Sequence, residues 1–389
     1  MDNLLEIRGL RIEARSDQGW AEIVKGVDVT LERGEILGLI GESGAGKSTI
    51  GLAAMGYVKP GCRISGGSVR FDGLELVGAG RHRLRGLRGR RIAYVAQSSA
   101  AAFNPAWRLI DQHCEGPVRH GVMDRRQAAA KAVQLYRDLR LPDPESIGLR
   151  YPHQVSGGQL QRAMTAMAMA CHPDLIIFDE PTTALDVTTQ IEVLAAIRNV
   201  VRKHRAAAIY ITHDLAVVAQ MADRVKVLLN GAEVEEAPTA RMLAAPQQNY
   251  TRSLWAVRSF RPAPRPQAET TDPILKVQNV TGGYGTHMVL DDVSFSVPRG
   301  RTVAVVGESG SGKSTTARAI MGLLPLARGQ VVFEGEKLTD EGSQRQRDLH
   351  RRMQMIHQMA DTALNPRHRV RDVIGRPLEF FLGLKGAAK

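Results

Sequence analysis

Gly41-Glu42-Ser43-Gly44-Ala45-Gly46-Lys47-Ser48, followed by Thr49, fits the pattern G-x-x-x-x-G-K-[ST]. The stretch before it, Ile36–Ile40, is apolar and β-rich, and residues 48–56 after it read as a helix. In such a strand–loop–helix unit the glycines let backbone N–H groups converge on an anion without a Cβ in the way. The helix N-terminus adds a partial positive charge. Lys47 is placed to reach β- and γ-phosphates, and the Ser48 hydroxyl is placed to ligate Mg²⁺. The competing explanation is a glycine turn with only a structural role.

Recurrence of the motif argues against that explanation. Gly307-Glu308-Ser309-Gly310-Ser311-Gly312-Lys313-Ser314, followed by Thr315, fits it again. Here residues 303–306 are the expected strand and 314–322 the expected helix. The flanks repeat as well. LLEIRGLRI (4–12) matches ILKVQNVTG (274–282), and GVDVTLERGE (26–35) matches DVSFSVPRGR (292–301). RRIAYVAQSSAAAFNP (90–105) matches RRMQMIHQMADTALNP (351–366), which pairs Gln97 with Gln358. The expected organisation is a first unit over 1–258, a proline-rich linker over 259–273 and a second unit over 274–389. Ser156 follows Gln97 by 59 positions, and the same step from Gln358 passes Lys389. Within this sequence the second unit is therefore expected to be partial.

The remaining chemistry sits in the first unit. A buried-type strand over 174–178 ends in Asp179 and Glu180, and a parallel sheet presents ligands at the carboxyl ends of its strands. Asp179 is placed to act on Mg²⁺ through a water, and Glu180 to orient or deprotonate an attacking water. Alone, such a pair reads as an acidic strand end in solvent; behind a phosphate loop it reads as catalytic. His213 follows a second apolar run and can donate to a γ-phosphate oxygen, although a histidine there is often only a polar cap. Gln97 ends the strand 92–96 and can touch the metal or the water. Ser156, Gly157, Gly158 and Gln159 precede a helical run over 160–171 and make either a further anion site or a simple N-cap. Met164, Met167 and Met169 read as core.

Composition narrows the class. The 389 residues are 43% hydrophobic and 24% charged, enough to bury sizeable cores. No apolar run reaches the length of a spanning helix, and the N-terminus carries no signal-peptide pattern. Cys62, Cys114 and Cys171 are too scattered for a disulfide frame or a metal knuckle, so a cytoplasmic location is expected. The net charge of +12 permits nucleic acid or an anionic membrane as partner, but the arginines are spread along the chain. The exception, RHRLRGLRGRR at 81–91, either touches lipid headgroups or solvates a loop, and the loop is expected, because a similar basic stretch recurs at 345–352.

Together these motifs resemble the ATP-binding-cassette ATPases over nearly the whole chain. The resemblance implies an α/β P-loop NTPase fold of ABC type: a RecA-like core with a mostly parallel sheet, an antiparallel β subdomain and a helical subdomain, in one complete and one partial copy. By that match, residues 41–49 and 307–315 are Walker A loops, and Gln97 and Gln358 are Q-loop glutamines. Residues 156–159 are the signature, Asp179 and Glu180 are Walker B with its catalytic glutamate, 184–186 is the D-loop, and His213 is the switch histidine. The implied cofactors are ATP and Mg²⁺, with Ser48, Gln97, Asp179, Ser314 and Gln358 at the metal. GESGAGKST, YPHQVSGGQLQR, DEPTTALDVTTQ and NYTRSLWAV are similar to the oligopeptide/dipeptide/nickel importer branch, and tandem units to its fused peptide importers. The family stacks an aromatic on adenine; Tyr284 stands there in the second unit, but Ala14 in the first, with Trp20 as a substitute at another spacing.

The resemblance implies an ATPase lying peripherally on the inner face of the cell membrane. Its partners are two transmembrane permease subunits, a solute-binding protein and another ABC ATPase domain. In that family each ATP lies between the Walker A loop of one cassette and the signature of another. Neither intrachain combination is complete here, so two first units from separate chains, or a first unit and another cassette, are the expected pair. The alternatives are a catalytically impaired nucleotide-binding remnant, or a soluble tandem factor on ribosomes or nucleic acid. No specific nucleic acid is expected, because the linker is short and lacks charged inserts.

Overall fold

The computed structural model describes residues 3–182, 187–259, 272–285, 287–307, 310–339, 342, 345, 347–357 and 364–384. Contacts divide the chain into two compact units, Met1–Pro262 and Ala263–Lys389.

The first unit opens with β1 (Leu5–Ser16) and β2 (Gly19–Leu31), an antiparallel hairpin. Alternation places Leu5, Ile7, Leu10 and Ile12 inside and the charged residues between them outside. A bulge after Ile7 brings Gly9 to φ 55°, and a Cβ on the facing Gly67 would meet the Gly9 carbonyl oxygen at 2.5 Å. Next come β3 (Ile36–Ile40), α1 (Lys47–Ala53), β4 (Cys62–Phe71), β5 (Leu74–Glu75) and α2 (Arg81–Leu87). A four-stranded antiparallel sheet forms in the order β2-β1-β4-β5.

The chain continues through β6 (Ile92–Val95), α3 (Ser99–Ala102), α4 (Leu109–Arg119), α5 (Arg125–Asp138) and α6 (Gly157–Met169). It then alternates through β7 (Leu175–Asp179), α7 (Val187–Lys203), β8 (Ala207–Ile211) and α8 (Leu215–Met221). The unit closes with β9 (Arg224–Leu229), β10 (Ala232–Pro238), α9 (Thr239–Ala244) and α10 (Asn249–Ser259). The central sheet has the order β10-β9-β3-β8-β7-β6 and is parallel except at its β10 edge. Every residue of β3, β7 and β8 is buried, as expected for strands covered on both faces. Their side chains alternate between two cores. Ile36, Ile176, Phe178 and Tyr210 join α6, α7 and α8 on one face. Leu37, Leu39, Ile177 and Ile209 join α1 and the antiparallel sheet on the other. Met164 and Met169 are buried and Met167 packs beside them, as core residues.

The basic run at 81–91 is in part the expected solvated stretch, with Arg81, His82, Arg83, Arg85 and Arg90 exposed, but its first seven residues form α2 and two of its arginines turn inward. Arg88 donates to the carbonyls of Met55 (2.9 Å) and Gly56 (2.6 Å), closing the exit of α1. Arg91 bridges Asp72 (2.7 Å) and Asp174 (2.6 Å) and covers the Phe71 ring. These guanidiniums are spent inside the fold, because helix-exit carbonyls and two carboxylates need donors there.

In the second unit, β11 (Pro273–Tyr284), β12 (His287–Pro298), β13 (Leu326–Phe333) and β14 (Glu336–Lys337) form a sheet in the order β12-β11-β13-β14. It repeats the first sheet down to its bulge: Asn279 has φ 49°, and a Cβ on Gly329 would meet the Asn279 carbonyl oxygen at 2.3 Å. α11 (Lys313–Ile320) follows the second glycine loop, Arg345 donates to the Ile320 carbonyl at 2.7 Å, and Arg352 pairs with Glu334. The expected strand over 303–306 does not form, and Val306 is 87% exposed. In the first unit the equivalent strand is held between β8 and β9. No such neighbours exist among the described residues of the second unit, and a lone strand has no ladder. The linker residues 260–271 lie outside the described residues.

Candidate active site

Four loops leave the carboxyl ends of β3, β6, β7 and β8 and meet in one cleft. It has a volume of about 650 Å³ and is lined by Ser43, Gly44, Lys47, Ser48, Gln97, Glu180 and His213 among others. The glycine loop is shaped by sterics. Gly41, Gly44 and Gly46 have φ of 148°, 86° and 89°. A Cβ on Gly41 would sit 2.1 Å from the Leu228 carbonyl oxygen, a backbone atom that cannot swing away. Gly46 is the left-handed N-cap of α1, so the helix begins at Lys47 with its first N–H groups turned into the loop. Glu42 and Ser43 are exposed, Ala45 is buried and Thr49 is half-buried. The Glu42 N–H donates to the Tyr250 hydroxyl at 3.3 Å, which ties α10 to the loop.

Lys47 is only 6% exposed and its ammonium donates to the carbonyls of Gly41 (2.7 Å) and Glu42 (2.8 Å). Burial holds its pKa below the ordinary lysine value, against the opposing pull of Glu180 and Asp179. The Ser48 hydroxyl donates to Asp179 Oδ1 at 2.8 Å, and the Tyr94 hydroxyl donates to Asp179 Oδ2 at 2.5 Å. Glu180 sits in a left-handed backbone conformation (φ 48°), and its N–H donates to the Ile211 carbonyl at 2.9 Å. Its carboxylate accepts from Gln97 Nε2 at 3.0 Å and lies 3.0 Å from His213 Nδ1. Gln97, Glu180 and His213, which are far apart in the chain, thus form a single hydrogen-bonded row across three adjacent strand ends.

Ser156 and Gln159 lie elsewhere on this unit, at the start of α6. They close a capping box: Ser156 Oγ accepts from the Gln159 N–H at 3.3 Å, and Gln159 Oε1 accepts from the Ser156 N–H at 3.1 Å. Ser156 and Gly157 are exposed, and Gly158 is half-buried. The expected helix start at 160 is three residues late, because the cap lets the two glycines take helical geometry. Residues 184–186 lie outside the described residues.

The second loop copies the first. Gly307, Gly310 and Gly312 have φ of 156°, 87° and 92°, and Lys313 Nζ donates to the Gly307 carbonyl at 2.8 Å and to Ser311 Oγ at 3.3 Å. Ser314 is exposed and Thr315 is buried. Glu308, Ser309 and Gln358 lie outside the described residues. Tyr284 lies at the tip of the β11–β12 hairpin, where Arg318 donates to its hydroxyl at 2.9 Å and holds its pKa below the usual phenol range. At the matching tip in the first unit Ala14 pairs with Ala21, and Trp20 is half exposed with the Arg63 guanidinium 4.2 Å over its ring.

Sequence reasoning missed Tyr94 and Tyr250. Tyr94 carries a readable signal, a polar-tipped aromatic three residues before Gln97, but its contact with Asp179 depends on the pairing of β6 with β7. Tyr250 has no local signal at all.

A parallel sheet with a glycine loop, a buried lysine and a carboxylate row at its carboxyl edge defines the P-loop ATPase class. The ABC transporter family model matches residues 24–183 and 290–386. The chain is 36% identical over 417 residues to the glutathione import ATP-binding protein GsiA of Pectobacterium atrosepticum, covering 96% of this chain and 67% of that protein. It is 34% identical over 422 residues to GsiA of Escherichia coli K12, covering 97% and 67%. In fold it is similar to the ATP-binding cassette MJ0796 in its ADP- and Pi-bound dimer, with a TM-score of 0.55 at 22% identity, over 60% of this chain and 98% of that one. It is also similar to cbiO1 of Clostridium perfringens, with a TM-score of 0.54 at 21% identity, over 67% and 94%. The chain belongs to the ABC transporter family and is an ATPase of that family. No helix among the described residues is long and apolar enough to cross a membrane.

Proposed function

We propose that this chain hydrolyses ATP to energise a membrane importer of peptides or related small solutes, such as the glutathione named for its relatives. The observation that carries this reading is Glu180 held between Gln97 and His213 beside the glycine loop. The loop N–H groups bind the phosphates, and Lys47 exchanges the Gly41 and Glu42 carbonyls for β- and γ-phosphate oxygens. The Ser48 hydroxyl and the Asp179 carboxylate, 2.8 Å apart, are hard oxygen donors that would hold Mg²⁺. Mg²⁺, when bound, neutralises phosphate charge. Glu180 accepts the proton of the attacking water, Gln97 orients that water, and His213 donates to the γ-phosphate.

In this reading the chain works at the inner face of the membrane, under two permease subunits served by a solute-binding protein. The contact that transmits closure is the region after Gln97. There a second cleft of about 580 Å³ is lined by Trp107, Arg108, Asp111, Arg119, Arg125 and Tyr151. The second unit is read as a partial cassette over 274–389 that binds nucleotide through residues 307–315, with Tyr284 on adenine and Ser314 and Gln358 toward the metal. The sheet order and loop geometry it shares with the first unit support this.

The test is Glu180→Gln. Nucleotide binding is retained and hydrolysis falls by about 100-fold or more, the scale of a lost general base. Undiminished turnover removes Glu180 from the role.

A further inference from the structure

His172 and His204 lie at the amino edge of the central sheet, opposite the edge that carries the cleft. β7 and β8 run parallel with Leu175 paired to Ala207. His172 stands three residues before Leu175, and His204 three before Ala207. Equal offsets ahead of a parallel register place the two imidazoles side by side, with Nδ1 facing Nδ1 at 3.1 Å. Each follows the last turn of a helix: the His172 N–H donates to the Met169 carbonyl at 3.0 Å, and the His204 N–H to the Val200 carbonyl at 3.1 Å. Both therefore sit at the negative end of a helix dipole, which favours a cation.

We propose that His172 and His204 form a two-imidazole site for a borderline divalent transition metal of the Zn²⁺ class. Two nitrogens 3.1 Å apart, each about 2.0–2.1 Å from an ion, subtend roughly 100° at it. That angle lies between the square and tetrahedral values, and imidazole suits such metals. Without metal one Nδ1–H donates to the other nitrogen; binding moves that proton, through solvent, to Nε2 of the same ring, which stays neutral and leaves both Nδ1 lone pairs free to ligate. Burial first, and then Lys131 with neighbouring cations, lowers both histidine pKa values and keeps the rings in the neutral, ligating form. The same cations oppose a metal ion. They are offset by Asp138, which pairs with Lys203 at 3.0 Å and acts on His204. Two protein ligands with water completing the shell give a site of micromolar rather than structural strength. A bound ion would tie the exit of α6, whose first turn carries Ser156–Gln159, to the exit of α7.

The test is calorimetric titration of Zn²⁺ into the full chain without nucleotide, compared with His172→Gln, His204→Gln and the double variant. Cysteine and cleft binding is common to all four and cancels. The unmutated chain should take up one more equivalent than the double variant, and each single variant should weaken that equivalent at least tenfold. Equal stoichiometry in the unmutated chain and a double variant of unchanged circular dichroism overturns the proposal. The imidazole ¹⁵N spectrum of the unmutated chain provides a check that needs no variant. Saturating Zn²⁺ should shift both Nδ1 resonances, and an unchanged spectrum reduces the pair to an N–H···N hydrogen bond.

Discussion

Tyr94 gives Asp179 a donor that stays protonated. Burial, followed by the Asp179 contact, pushes the phenol well above its ordinary range, so the O–H persists at neutral pH. Asp179 is 6% exposed and has Ser48 as its other partner on this row. If Ser48 turns to a metal ion, Tyr94 is what keeps the carboxylate aimed. Tyr94→Phe removes one hydrogen bond to a charged, buried acceptor, which is worth about 1–3 kcal/mol. The variant should lose about that much stability in urea unfolding. Its nucleotide affinity should fall several-fold in Mg²⁺ and hold steady in EDTA. An equal loss in both conditions would move Tyr94 from metal positioning to plain packing. The contacts of this tyrosine and of Tyr250 were not legible from local pattern, because each reaches the site through a tertiary neighbour.

α4 contains a buried titratable group outside the cleft. His113 is 1% exposed, packs edge-on against Tyr136, and neither ring nitrogen has a partner among the described residues. Burial pushes its pKa down to about 3 from 6.5. Below 6.5 the unfolded chain takes up a proton that the folded chain refuses, so stability is lost as pH falls from 6.5 toward 3. Between pH 7 and 4.5 this amounts to on the order of 2–3 kcal/mol. The urea midpoint of His113→Leu should therefore rise relative to that of the unmutated chain as pH falls from 7 to 4.5. A constant gap would mean that α4 opens to admit the proton. His172 and His204 contribute a slope of the same sign that survives the substitution. Elements differ in the same way in how far sequence foretold them. β3, β7 and β8 were legible because continuous apolar runs ending in functional residues are what a doubly covered parallel strand requires. Residues 303–306 carry the same pattern and form no strand. A run of valines specifies a strand only when partners arrive, and those of β3 come from residues 207–229. The helix start at Gly157 was missed for the opposite reason, since a local capping box overrode the low propensity of two glycines.

At the scale of the whole molecule the question is what completes the cleft. The first unit presents the glycine loop and the Glu180 row at one place and the Ser156–Gln159 cap, exposed at Ser156 and Gly157, at another, outside the residues that line the cleft. If that cap supplies the other half of the nucleotide site, the surface is self-complementary under a two-fold axis, and two copies form both sites together. Nucleotide held by one loop would then meet the α6 N-terminus of the partner chain, whose N–H groups and dipole favour the γ-phosphate. This predicts a second-order signature. Specific ATPase activity of the purified chain should rise with protein concentration across the micromolar range. Glu180→Gln in MgATP should sediment as a dimer that reverts to monomer in ADP. Ser156→Arg should abolish the dimer while leaving binding of a fluorescent nucleotide to the monomer unchanged. Among the described residues of the second unit Val306 and Ile356 are 87% and 97% exposed, and exposed apolar side chains offer a second, unspecific route to association. Nucleotide dependence separates the two kinds of association. Apolar clustering ignores ADP, whereas closure on a triphosphate requires the γ-phosphate, so oligomers that persist equally in ADP, ATP and buffer would refute the paired-cassette arrangement.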